Sequence, residues 1–336
     1  MNDRQWRTVV VDQRARLYYS LGAMKIKTPD GITQRVPLYN VCAIMIVSHA
    51  VRLSVFLIDQ IRQRNIALIF CDSNKIPSAE LVGYAQTNQT AARLREQIEW
   101  SEKARTAVWG RIIQMKLISQ RNVLRELNLP LDERRWETLI SQSAPEECPK
   151  REGLAARIYF NTLFGKDFKR LGKTKAHGSA FSSTRQTRDD ISGKPPGPPI
   201  EQINSALNYG YAVLRSAMTR ELTLRGYNPA LGLAHCGGSN PLNLTYDLIE
   251  PYRPFVDKIV FSHLGLPFDR DFKRELIAVL NSSAVYSYKT ADVLEIMKNY
   301  VNDVVRSLRT GENHIQEIHF LNKNNGLACY RKEKLL

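Results

Sequence analysis

Short apolar runs dominate the first part of the chain. Residues 7–11, 15–20 and 24–28 are rich in β-branched and aromatic positions, and Pro29-Asp30-Gly31 is a turn signal before an extended pattern over 33–38. Residues 41–47 and 66–71 are continuous apolar runs, short enough for buried strands. Between them Val55, Ile58 and Ile61 recur at helical spacing. Past Gln86 the period lengthens. Thr87-Asn88-Gln89-Thr90 offers N-caps, and Leu94, Ile98, Ala104, Val108, Ile112, Met115 and Ile118 mostly fall three or four apart, which predicts one helix to about Glu126. Further helices are expected at 136–140, 150–163, 200–225, 253–262, 270–281 and 290–309. The pattern is that of an α+β chain: a small β-rich N-terminal domain (1–85) followed by a larger all-α domain (86–336). Within the second, residues 172–199 (GKTKAHGSAFSSTRQTRDDISGKPPGPP) are rich in Gly, Ser, Thr and Pro and read as a mobile loop between helices.

Charge narrows the function. The 336 residues carry 48 Lys and Arg against 33 acids, a net +15, which favours a polyanionic partner, above all nucleic acid held through its phosphates. A hydrolase of small substrates would leave that excess unexplained. The five cysteines are scattered and form no CxxC pair, which argues against a disulfide framework or a thiolate zinc site. With no signal-peptide pattern at Met1 and no apolar run of membrane-spanning length, a cytoplasmic location and no membrane partner are expected.

Candidate chemistry gathers in residues 235–254, HCGGSNPLNLTYDLIEPYRP. Asp247 and Glu250 are three apart and would share a helix face, with Asn240 as N-cap, Pro241 in the first turn and Pro251 and Pro254 as stops. His235 lies upstream across Gly237-Gly238, and Arg253 lies one turn beyond Glu250, where a phosphate could be held. An imidazole nitrogen with carboxylate oxygens is a donor set for a divalent cation, although the same acids could form a solvated face. Glu152, upstream, is expected in the first turn of its helix, where the dipole favours a carboxylate. Its neighbours Ala155, Ala156 and Tyr159 suggest a packed face, on which a carboxylate needs a partner.

Four segments in order, KREGLAARIYF (150–160), INSALNYGYAVLR (203–215), GYNPALGLAH (226–235) and NLTYDLIEPYRPFVD (243–257), resemble the CRISPR adaptation integrase family, the large Cas subunit that inserts new spacers. WGRIIQMKLISQRNVL (109–124) is similar to that family's long helix, and LNYGY with EPYRP looks like members from type II systems. The resemblance covers most of the chain. It implies a β-rich N-terminal domain, a helical catalytic domain, a homodimer and a small ferredoxin-like Cas partner. It places catalytic metal ligands on Glu152, His235 and Glu250, with Asp247 as a further ligand or an outer partner. Many members have Asp where this chain has Glu250.

The chemistry suits the residues. Phosphodiester transesterification by a 3′-hydroxyl needs charge neutralisation at phosphorus, which Mg²⁺ or Mn²⁺ on carboxylates and one imidazole would supply. Tyr209, Arg215 and Arg253, with Lys116 on the long helix, are the candidate contacts to double-stranded donor and repeat DNA, and for Tyr209 packing is an equal reading because a helix of this spacing buries aromatics. The expected function is therefore a metal-dependent DNA endonuclease and integrase. The alternative is a non-catalytic basic DNA-binding scaffold, in which the same polar residues form a structural cluster.

Overall fold

The computed structural model describes residues 7–64, 66–73, 77–81, 89–141, 148–171, 200–235 and 240–321. The loop expected over 172–199 and the domain boundary expected between 85 and 86 lie outside the described residues.

The N-terminal part runs β1 (Arg7–Val11), β2 (Arg16–Ser20), β3 (Ala23–Lys27), β4 (Thr33–Pro37), β5 (Val41–Ile46), β6 (Arg52–Leu53), α1 (Val55–Gln63), β7 (Ala67–Cys71) and β8 (Pro77–Glu80). The strands form two four-stranded sheets, ordered β1-β5-β7-β8 and β4-β3-β2-β6. β1, β5 and β7 are parallel, and α1 lies on the connection between β5 and β7. Ser54 caps α1, its hydroxyl accepting from Leu57 N at 3.3 Å.

β5 and β7 are buried on both faces, as continuous apolar runs require. Ile44, Ile46 and Leu68 face a core shared with the second sheet and with Leu57 and Ile61 of α1. Ala43, Met45, Val47, Ala67, Ile69 and Cys71 alternate with them and enter a second core, made largely of C-terminal helices. The first sheet is therefore one wall of the helical region, and truncating Met45 to Ala should cost about 2–5 kcal/mol.

The rest of the chain holds α2 (Thr90–Glu99), α3 (Glu102–Glu126), α4 (Glu133–Ser141), α5 (Cys148–Phe164), α6 (Ile200–Leu224), α7 (Asn243–Leu248), α8 (Arg253–Ser262), α9 (Arg270–Ala278) and α10 (Val293–Thr310). The single helix expected up to Glu126 is two. Trp100 breaks it with extended ψ, and Ser101 caps α3 by accepting from Ala104 N at 3.2 Å. The middle of α3 is buried all round, through Ile112, Ile113, Met115 and Leu117, and it packs on α4, α5, α8 and α10.

The C-terminal part is not all-α. β9 (Ser283–Tyr286), β10 (Lys289–Asp292) and β11 (Ile318–Phe320) form a three-stranded antiparallel sheet in the order β10-β9-β11. β10 takes the residues expected to open the last helix. That helix instead starts after Asp292, which caps it by accepting from Glu295 N at 2.8 Å. No helix among the described residues is long and apolar enough to cross a membrane.

Candidate active site

Several elements meet around a cavity of about 510 Å³ lined by residues that include Trp109 and Lys116 of α3, Glu152 of α5, His235, Tyr246 of α7, Glu250 and Arg253 of α8. Glu152 stands one turn into α5. The helix begins at Cys148 rather than at Lys150, so the first-turn dipole position expected for this carboxylate is a turn too early. Its helix packs through Ala155 and Tyr159, both fully buried, which aims Glu152 at α3.

Asp247 and Glu250 do not share one helix. α7 ends at Leu248, and Glu250-Pro251-Tyr252 forms a separate 3-10 turn with Pro251 in its first turn. Asn240 is no N-cap either: its Oδ1 accepts from Leu242 N at 3.1 Å, and α7 starts at Asn243. The break separates the roles of the two acids. Asp247 is fully buried. Its Oδ2 accepts from Leu233 N at 2.6 Å and Ala234 N at 3.1 Å, while His235 Nδ1–H donates to its Oδ1. The backbone wraps this carboxylate closely because Gly232 carries no Cβ, which would lie 2.3 Å from His235 O and 3.0 Å from Asp247 Oδ2. With both oxygens committed, Asp247 orients the imidazole and leaves Nε2 as the nitrogen able to accept a ligand. The hydrogen bond to Asp247 also raises the His235 pKa above its ordinary value, against partial burial. The edge of Trp109 meets the same ring, with centroids 5.8 Å apart and planes at 84°.

Glu250 is buried between cations. Arg253 NH2 lies 2.9 Å from its Oε1, and Lys116 Nζ lies 2.6 Å from Oε2 as an ion pair without hydrogen-bond geometry. Lys116 Nζ also donates to Glu152 Oε1 at 2.5 Å. Burial pushes Glu250 up, but Arg253 and Lys116 together hold its carboxyl below the usual carboxylate value. Burial pulls Lys116 down, and Glu250 and Glu152 outweigh it, so the ammonium stays charged. Among the described residues no three His, Cys, Asp or Glu side chains stand close enough to hold an ion as they are. Lys116 fills the space between the carboxylates instead.

A family model described as "CRISPR associated protein Cas1" matches residues 8–283. The chain belongs to the Cas1 family. It is 31% identical over 255 residues to the CRISPR-associated endonuclease Cas1 of Neisseria meningitidis serogroup C (strain 8013), covering 76% of this chain and 75% of that one. A second Cas1 endonuclease, from Pyrobaculum aerophilum, is 31% identical over 254 residues, covering 75% and 80%. Among solved structures, a casposase bound to integration product shares the fold at TM-score 0.68 and 18% identity, covering 92% of each chain. A Cas1 protein from Thermotoga maritima does so at TM-score 0.63 and 14% identity, covering 92% of this chain and 98% of that one.

In this Cas1-family chain, Glu152, His235 and Glu250, the positions on which the resemblance places metal ligands, line one cavity, with Arg253 beside them. The other expected DNA contacts fall differently. Tyr209 is 2% exposed, its hydroxyl on Met45 Sδ and its ring against Phe268, which fits the packing reading and corrects its place among the DNA contacts. Arg215 lies behind the cavity wall, donating to Tyr246 Oη at 2.8 Å. Lys116 stands inside the site rather than on an outer face. Trp109 was not singled out from the sequence. Its signal was there: Trp109 and Lys116 are seven apart on one helix and so face the same way.

Proposed function

We propose that this chain is a metal-dependent DNA endonuclease and integrase that joins new spacer DNA to a CRISPR array by 3′-hydroxyl transesterification. The observation that carries the reading is the convergence of Glu152, Glu250 and an Asp247-oriented His235 on one cavity. Glu152, Glu250 and His235 Nε2 would hold Mg²⁺ or Mn²⁺, a donor set both ions accept, and a cationic ammonium already sits between the two carboxylates. When bound, the ion supplies charge neutralisation at phosphorus and polarises the attacking hydroxyl. The chain's own groups do the rest. Asp247 fixes the imidazole tautomer, and Arg253 is placed at the cavity to hold a phosphate oxygen while bound to Glu250. Relatives named as endonucleases and a structural neighbour captured with an integration product support this activity.

The partners in this reading are donor and repeat duplexes, a second copy of the chain and a small ferredoxin-like Cas subunit. A solved assembly titled as a Cas6-RT-Cas1–Cas2 complex, TM-score 0.62, contains a chain of this fold that this one matches over 96% of its own length and 37% of that chain's. Donor duplexes with free 3′-hydroxyls should join to target DNA, and 3′-dideoxy donors should not. Equal joining of both would refute the mechanism. The scaffold reading draws on one feature, the neutralisation of both carboxylates by Lys116, and predicts DNA binding with no metal-dependent cleavage or joining.

A further inference from the structure

Lys116 projects from the middle of α3, the part of that helix buried all round, on a four-carbon stem with several rotatable bonds. The ammonium is shared between Glu152 Oε1 at 2.5 Å and Glu250 Oε2 at 2.6 Å, and the side chain is 10% exposed. Arg253 holds the other Glu250 oxygen, and His235 and Asp247 are paired with each other. The site is therefore balanced without any added ion: Lys116 and Arg253 offset Glu152 and Glu250. A divalent cation between those carboxylates would meet the ammonium at close range. It would also leave a positive surplus in a cavity where charge is poorly solvated. Phosphodiester oxygens carry the negative charge that removes the surplus, and a lysine ammonium suits a phosphate as well as a carboxylate.

Resting on the metal-site reading above, we infer that Lys116 is a placeholder cation that links metal binding to DNA binding. In the metal-free protein it holds Glu152 and Glu250 together. On loading it gives up that position and moves to a phosphate oxygen of the bound DNA. Metal alone binds weakly, because it must displace the ammonium with no new partner for it. Metal with DNA binds tightly, because the displaced ammonium has one. Such coupling confines the loaded site to DNA-bound protein.

The test is Mn²⁺ binding to the full chain, followed by the EPR signal of free Mn²⁺, with and without a duplex carrying 3′-dideoxy ends. The proteins are wild type, Lys116→Met, Lys116→Gln and His235→Ala. DNA should tighten Mn²⁺ binding by wild type about 10-fold or more, a typical coupling between linked sites. The Lys116 variants should bind Mn²⁺ more tightly than wild type without DNA and gain little when DNA is added. In thermal melts without metal both variants should unfold below wild type, and Mn²⁺ should raise their Tm more than it raises that of wild type. The glutamine variant keeps a neutral donor at the site should the methionine variant fold poorly. Variants that bind Mn²⁺ no more tightly than wild type, or that keep the full gain from DNA, would overturn the inference while His235→Ala still abolishes binding. Unchanged Mn²⁺ binding by His235→Ala would instead sink the metal site itself, and the inference with it.

Discussion

Asp247→Asn separates the orienting role of Asp247 from its bulk. The aspartate oxygens have unequal partners: Oδ2 accepts from Leu233 N and Ala234 N, and Oδ1 accepts from His235 Nδ1. An asparagine has only one acceptor oxygen. Turning its NH2 toward the two backbone N–H groups would leave them unsatisfied, at about 1–3 kcal/mol each, so the oxygen takes the Oδ2 position. The amide NH2 then faces His235 Nδ1, which must present a lone pair. The imidazole proton moves to Nε2, the nitrogen needed for a ligand. The fold loses only the difference between a charged and a neutral hydrogen bond, about 1 kcal/mol. Function loses a ligand through its tautomer, and outer partners of this kind are worth about 10–100-fold in metal affinity or activity. Mn²⁺ titration and branched-DNA cleavage should both fall by at least that factor while the melting curve barely moves. An Asp247→Asn protein with wild-type Mn²⁺ affinity and cleavage rate would refute the orienting role.

Other substitutions test the frame around the site. Gly232→Ala drives a Cβ to 2.3 Å from His235 O and 2.9 Å from Asn243 Cβ. It should cost about 1–3 kcal/mol in a denaturant melt and displace His235, lowering cleavage more than the stability loss accounts for. Gly210→Ala puts a Cβ 2.4 Å from Val256 Cγ1 and 3.3 Å from Leu276 Cδ2, where α6 meets α8 and α9. It should likewise cost about 1–3 kcal/mol, or roughly 2–10 °C in Tm, and an unchanged Tm would show that the helices part freely. Asp257 is buried beneath Arg253, accepts from Tyr211 Oη at 2.5 Å, and is pushed up to about 7 by burial, against the Tyr211 hydrogen bond and Arg170. The folded state then binds more protons than the unfolded one between its unfolded value and about 7, so stability falls as pH rises through that window. Asp257→Asn removes the effect. The variant should gain on wild type by several degrees in Tm between about pH 5 and about pH 8, and parallel pH profiles would contradict the assignment.

Much of the frame was legible because it depends on local pattern. The runs at 41–47 and 66–71 are strands buried on both faces, and Ser54 caps the helix that Val55, Ile58 and Ile61 announced. The C-terminal sheet was not legible. Its hairpin turns on Ser287 and Tyr288 with φ of 51° and 62°, a left-handed pair that Asn-Gly would normally signal. Residues 283–292 therefore carry no turn signature. At the site, spacing drew attention to His235, Asp247 and Glu250 but could not assign their roles. Those follow from the end of α7 at Leu248 and from the close wrap of residues 232–235 on Asp247, both of which depend on packing. Lys116 read as a DNA contact on the long helix, with no sign of its place between the carboxylates. Only its burial between carboxylates from two distant segments sets it apart.

Branched-DNA cleavage and strand transfer by purified wild type, His235→Ala and Glu250→Ala, each with Mg²⁺, Mn²⁺ or EDTA, test the central claim most directly. Wild type should cleave and join only with metal, and both variants should be inactive while still folding and binding DNA, Glu250→Ala melting below wild type because it leaves Lys116 and Arg253 without their buried carboxylate. Full activity in either variant, or in wild type with EDTA, would contradict the account.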